Sequence, residues 1–233
     1  MSPAKVRVPR SATLWTLLCA TLWTLLVPVS LAAPGAQGSS LRVQVRDPAG
    51  HPVVNAVVYA VPDRPTPRDT TPKAIIDQVN RRFVPRISVI QAGTAVVFPN
   101  SDNIRHSVYS FSPPKVFTLK LYAGEPASPV VFDKPGIVVL GCNIHDSMVA
   151  WVLVVDTPYF ARTDGAGAAT LSDLPPGNYT LRAWSNAMRQ EATGEPLVVG
   201  MDPLPARVLE VPPEAADPPD SMSMNEQMEG MVH

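Results

Sequence analysis

The residues best able to do chemistry sit in one short stretch, "GCNIHDSM", residues 141–148. It holds Cys142, His145 and Met148. Thiolate and thioether are soft metal donors, and imidazole suits copper. Tetrahedral zinc sites draw on Cys and His and do not normally recruit Met. One Cys, two His and a weak axial Met make the ligand set of a mononuclear copper electron-transfer site. The stretch supplies only one His, so the second must come from elsewhere. The sequence has four, His51, His106, His145 and His233. Each residue also has a plainer reading. Cys142 reads as a buried inert thiol, Met148 as a core residue at a strand start, and His106 as a surface turn residue.

The N-terminus bears on the thiol. Lys5, Arg7 and Arg10 precede the apolar run "ATLWTLLCATLWTLLVPVSLAA", and Ser30 to Ala32 give a small-x-small cleavage site. Residues 1–33 therefore read as a secretory signal peptide, and the rest of the chain as exported and periplasmic. The run is also about long enough to span a bilayer. Only if it is retained does a membrane enter the picture. Cys19 lies inside this run, behind Leu18, a poor lipoprotein site. After cleavage Cys142 is the one cysteine left and has no internal disulfide partner. An unpaired thiol in an oxidising compartment is a liability unless it has a task. With 19 basic and 20 acidic residues and no basic stripe, no nucleic-acid partner is expected.

The elements that must position these residues read as strands. "LRVQVRD" and "KVFTLKLY" alternate, "ISVIQAGTAVVF" reads as two strands about a turn, and "GIVVLGC" and "MVAWVLVVD" flank the ligand stretch. "AATLSDLPPGNYTLRAW" is strand, turn, strand. Short strands at this spacing predict an all-β sandwich or barrel. One short helix is expected at "PKAIIDQVN". Val138, Leu140 and Cys142 share a strand face, so Cys142 is expected to point into the core. One of Tyr109 and Phe111 is expected to face solvent, and Trp151 and Trp184 to be core residues.

Two regions together resemble the cupredoxins, the family of plastocyanin, pseudoazurin and amicyanin. Gly93, Val96, Phe98, Asn100 and Asp102 match the pattern before the first His ligand, and His106 follows. Gly136 then precedes Cys142, His145 and Met148 at the family spacing, with the short amicyanin-like ligand loop. The wording also resembles a group of exported bacterial proteins labelled methylamine-utilisation-like. The match runs over about 74–156. It implies a Greek-key β-sandwich binding one type 1 copper, with His106, Cys142 and His145 in plane and Met148 axial. Where the family often has Asn after the first His, this chain has Ser107, which leaves the side-chain tie to the ligand loop open. Asn143 and Asp146 stand in the loop where Pro is common in the family.

The flanks resemble a carboxypeptidase-regulatory-like (transthyretin-like) sandwich. Asp164, Gly167, Pro176, Gly177 and Tyr179 carry that match. The implied organisation is a split small sandwich, 41–63 plus 160–212, around a cupredoxin domain at 74–157. The cupredoxin is either inserted in this sandwich or packed beside it. Residues 213–233, which include Met222, Met224, Met228, Met231 and His233, read as a disordered Met-rich tail. The resemblance implies an electron carrier between protein redox partners, with no small-molecule substrate and no enzymatic activity. Paired His-x-His motifs and a second loop Cys are both absent. The alternatives are a copper-binding or delivery module, or a structural sandwich with a vestigial site.

Overall fold

A computed structural model describes residues 38–66, 73–126, 128–191 and 193–216. The signal segment and most of the Met-rich tail lie outside the described residues. Among the described residues no helix is long and apolar enough to cross a membrane.

The described elements are all strands, and the chain is all-β. The first part forms β1 (Ser39–Arg46) and β2 (Val57–Pro62). The middle forms β3 (Lys73–Ile75), β4 (Asp77–Val79), β5 (Arg82–Val84), β6 (Ile87–Gln91), β7 (Thr94–Val97) and β8 (His106–Ser110). It continues with β9 (Phe117–Tyr122), β10 (Val130–Phe132), β11 (Gly136–Cys142) and β12 (His145–Val155). The last part forms β13 (Phe160–Arg162), β14 (Ala168–Leu174), β15 (Gly177–Trp184), β16 (Glu195–Val199) and β17 (Arg207–Glu210).

Strands from the two ends of the chain share sheets. One has the order β14-β1-β17, the other β13-β2-β15-β16. Between them lies a core of Leu41, Val43, Val45, Val58, Leu171 and Leu181, with their neighbours. The middle segment forms the sheets β10-β7-β3 and β6-β12-β11-β8-β9 and the hairpin β4-β5. Its own core includes Ile76, Phe98, Phe132, Val138 and Leu140, and takes in Cys142 and Met148. A third cluster, with Tyr59, Ile87, Leu153 and Trp184, joins the two. Alternation along β11 and β12 explains the split: one row of side chains faces the inner core, the other the junction.

The helix expected at "PKAIIDQVN" does not form. Its described residues make β3 and β4 instead. β3 pairs in parallel with β7, Ile76 is fully buried, and Gln78 bridges to Asn100. A free sheet edge and a core slot outweigh a weak local helix preference. The expected disorder from 213 onward is corrected at its start. Glu214 pairs with Arg86 at 2.7 Å, and the Ala215 N–H donates to Asn186 Oδ1 at 2.8 Å. Trp184 is a core residue as expected. Trp151 is half-buried, with the Arg86 guanidinium 4.7 Å over its ring. Phe111 is exposed, and Tyr109 is half-buried.

Candidate metal centre

β11 delivers Cys142. Val138, Leu140 and Cys142 all face the core, and Cys142 is 2% exposed. β12 returns antiparallel, with Val138 opposite Val152 and Leu140 opposite Ala150. Continued, this register would place Met148 opposite Cys142. Instead the ladder jumps from the Gly141–Val149 pair to a Cys142–His145 pair. The extra residues bulge out, which lets His145 turn to the thiol while Met148 stays in the core-facing row with Ala150 and Val152. Met148 is 1% exposed and belongs to the same core as Cys142.

Gly141 is needed at this point. A Cβ there would lie 2.6 Å from the Tyr109 ring, which comes across from β8. Because Tyr109 covers this outer face, β8 can lie close to β11 and bring His106 to the inner one.

His106 opens β8 and is fully buried. The loop before it is tied by Asn100, whose Nδ2 donates to the carbonyls of Ile104 and Tyr122, each at 2.9 Å. The Oδ1 of Asn100 accepts the Asp102 N–H at 3.1 Å. Asp102 Oδ2 in turn lies 2.7 Å from His106 Nε2. A carboxylate can only accept, so Nε2 carries the proton and the Nδ1 lone pair faces the Cys142 sulfur at 3.8 Å. Asp102 also accepts the backbone N–H groups of Asn80 at 2.6 Å and Arg81 at 2.9 Å, at the tip of the β4–β5 hairpin. Burial pushes its carboxyl pKa up. The Arg81, His106 and Asn80 hydrogen bonds outweigh that and hold it below the usual value.

The ligand atoms of His106, Cys142 and His145 lie within 4.8 Å of one another. The His106 and His145 ring centroids are 5.0 Å apart. Among the described residues no other group of His, Cys, Asp and Glu converges in this way. His51 lies elsewhere, paired with Asp47 at 3.2 Å, and His233 is outside the described residues.

Ser107 does supply a side-chain tie. Its hydroxyl accepts the Asn143 N–H at 2.9 Å and lies 3.8 Å from Cys142 Sγ, towards which it donates. One short side chain thus holds the ligand loop and polarises the thiol. The sequence gives no signal of this beyond the position of Ser107 beside His106. The grip of the β4–β5 hairpin on Asp102 was also unreadable, because its first strand, β4, lies in the stretch expected to be helical.

The donor set fits copper. A buried thiol, two imidazoles and a buried thioether in the same core row are soft and borderline donors, matching copper better than a hard cation. No family model and no curated protein matches the chain. Solved structures resemble part of it. A copper-containing nitrite reductase (NirK) from Thermus scotoductus SA-01 aligns at 24% identity and TM-score 0.35, over 40% of this chain and 26% of that one. A purple cupredoxin from Nitrosopumilus maritimus aligns at 24% identity and TM-score 0.31, over 36% of this chain and 100% of that one. A reduced amicyanin variant aligns at 16% identity and TM-score 0.34, over 42% of this chain and 99% of that one. The chain thus spans about a quarter of the nitrite reductase. Likeness at these scores does not establish a family, and the metal centre stands on its own geometry.

Proposed function

We propose that the chain is an exported type 1 copper protein of cupredoxin fold, carrying single electrons between protein partners in the periplasm. The observation that carries this reading is the convergence of His106, Cys142 and His145 on one point of a sandwich core that also contains Met148. His106, Cys142, His145 and Met148 would hold the ion. Copper held there supplies a one-electron couple.

The protein's own groups prepare for that task. Asp102 fixes the His106 tautomer and ring orientation before any metal arrives. Ser107 and the Asn143 backbone hold the loop that carries His145. Burial of Cys142 and His106 keeps water from the sulfur. A site assembled by this many hydrogen bonds moves little when charge changes, which favours electron transfer. The split sandwich, read as carboxypeptidase-regulatory-like, serves as support through the junction core at Trp184.

The test is the visible and EPR spectrum of the mature protein loaded with Cu(II). An intense blue or green charge-transfer band with narrow copper hyperfine splitting is expected. A pale protein with ordinary Cu(II) signals would mean the thiolate is not a ligand, and the electron-carrier reading would fail.

A further inference from the structure

Three strand edges meet where the two sandwiches join. β3, β6 and β13 are each outermost in their sheet. Between them lies a cavity of about 300 Å³, at the small end of ligand pockets, which favour such junctions. Ala74 of β3, Val89 and Ile90 of β6 and Phe160 of β13 give it apolar walls. Lys73, Gln91 and Thr94 supply its polar groups. Among the described residues no Asp or Glu lines it.

Gln91 occupies a position where strand alternation calls for an apolar residue. On the same face of β6, Ile87 belongs to the junction core and Val89 packs against it. Gln91 is next in that row and only 6% exposed. Its Nε2 is buried and has no hydrogen-bond partner among the described residues. An unpaired buried amide costs stability, and an apolar side chain of the same shape would not incur that cost. Thr94 is already engaged, its hydroxyl donating to the Gln91 carbonyl at 2.6 Å. The side-chain amide is thus the buried donor of the cavity. Lys73 is exposed and lines the same space. Its ammonium has three donors and no acceptor. The cavity therefore offers donors and positive charge over apolar walls, and its complement is an anionic acceptor on an apolar body.

We propose that this cavity binds a small monocarboxylate with an apolar body, its carboxylate accepting from Gln91 Nε2 and the Lys73 ammonium and its body packed against Val89, Ile90 and Phe160. Binding gives the buried amide the partner it lacks, so the cost carried by the empty protein is returned to the ligand. Gln91 supplies most of the selectivity, because its donor is buried. Lys73 supplies less, because an exposed charge pair is screened by water and salt. The proposal does not rest on copper or on the electron-carrier reading.

Methyl NMR of the full mature chain, titrated with benzoate and separately with benzyl alcohol, tests it. The Val89 and Ile90 methyl signals are expected to shift with benzoate and to saturate by about 10 mM, where a site of millimolar Kd is filled. Benzyl alcohol has the same ring without the carboxylate and should bind about tenfold more weakly. Gln91→Leu keeps the shape and removes the donor. It is expected to weaken benzoate about tenfold, to leave benzyl alcohol unchanged, and to raise the denaturation midpoint of the ligand-free protein. Lys73→Ala, at an exposed position that the fold does not need, should weaken benzoate about threefold. Absence of a saturable shift would overturn the proposal, as would equal affinity for benzoate and benzyl alcohol. Wild-type benzoate affinity in Gln91→Leu would also overturn it. Should that variant fail to fold, wild-type affinity in Lys73→Ala would decide against the proposal in its place.

Discussion

Along β1 of the first sandwich, Leu41, Val43 and Val45 face the core. Along β11 of the second, Val138 and Leu140 do the same, and the next residue in the row is Cys142. Both strands obey the same alternation, and both cores are dominated by aliphatic side chains. The second sandwich differs at one end, where His106 and Ser107 are buried beside the thiol. Burying polar groups costs free energy unless each finds a partner. Here the partners are specific: Asp102 for His106, and Cys142 and the Asn143 N–H for Ser107. A sandwich end becomes a site when a network outside the core meets the needs of the donors inside it.

That contrast can be broken most strongly at the thiol. Cys142→Ser is expected to abolish the intense visible band of the copper-loaded protein while far-UV circular dichroism stays that of a β protein. A variant that stays blue would remove Cys142 from the ligand set. The next largest effect is on stability. Trp184, fully buried in the junction core, donates through Nε1 to the Met188 carbonyl at 3.3 Å. Trp184→Ala is expected to cost roughly 3–5 kcal/mol in denaturant unfolding, with the visible band unchanged. Loss of the band along with stability would mean that the metal sandwich depends on its neighbour.

Asp102→Asn sharpens the contrast further. It weakens charge-assisted bonds to His106, Asn80 and Arg81, and is expected to cost about 1–3 kcal/mol in the metal-free protein. The pH dependence has a defined sign. The folded-state pKa lies below the ordinary value of 3.8, so the ionised group stabilises the fold above that pH. This contribution is lost as pH falls through the lowered pKa. The stability gap between wild type and variant should therefore close in acid; a gap that stays constant with pH would show that the charge is not what matters. The smallest effect is at Ser107. Ser107→Ala should cost about 1 kcal/mol and shift the thiolate-to-copper band by loosening the loop at Asn143. An unmoved band would mean that the hydroxyl does not act on the sulfur.

Much of the site was legible because its residues are close in the sequence or tied to strand ends. Cys142 follows from alternation along "GIVVLGC", and His145 and Met148 from their spacing to it. Asn100 and Asp102 belong to the pattern that carries the resemblance, and their bonds show why that pattern precedes His106. The β3–β4 stretch differs from the expected helix because its seven residues, Lys73–Val79, carry little propensity of their own. β3 exists because β7 offers an edge to pair with, Ile76 has a core to fill, and β4 pairs with β5. Ser107 was visible only as a departure, since a hydroxyl's role depends on what lies across the sheet.

Taken alone, the amino-acid sequence determined the β class, the core-facing rows and the chemistry of the donors, since strand alternation and ligand softness are local properties. Tertiary structure decided the rest. It chose His106 over His51, set the three-residue bulge that turns His145 to the thiol, and placed Asp102 and Ser107 against their partners. It also joined strands from both ends of the chain into shared sheets. These outcomes depend on which strand edges and apolar faces meet across long separations. Burial and hydrogen-bond satisfaction of the whole chain settle that, and no short stretch carries it.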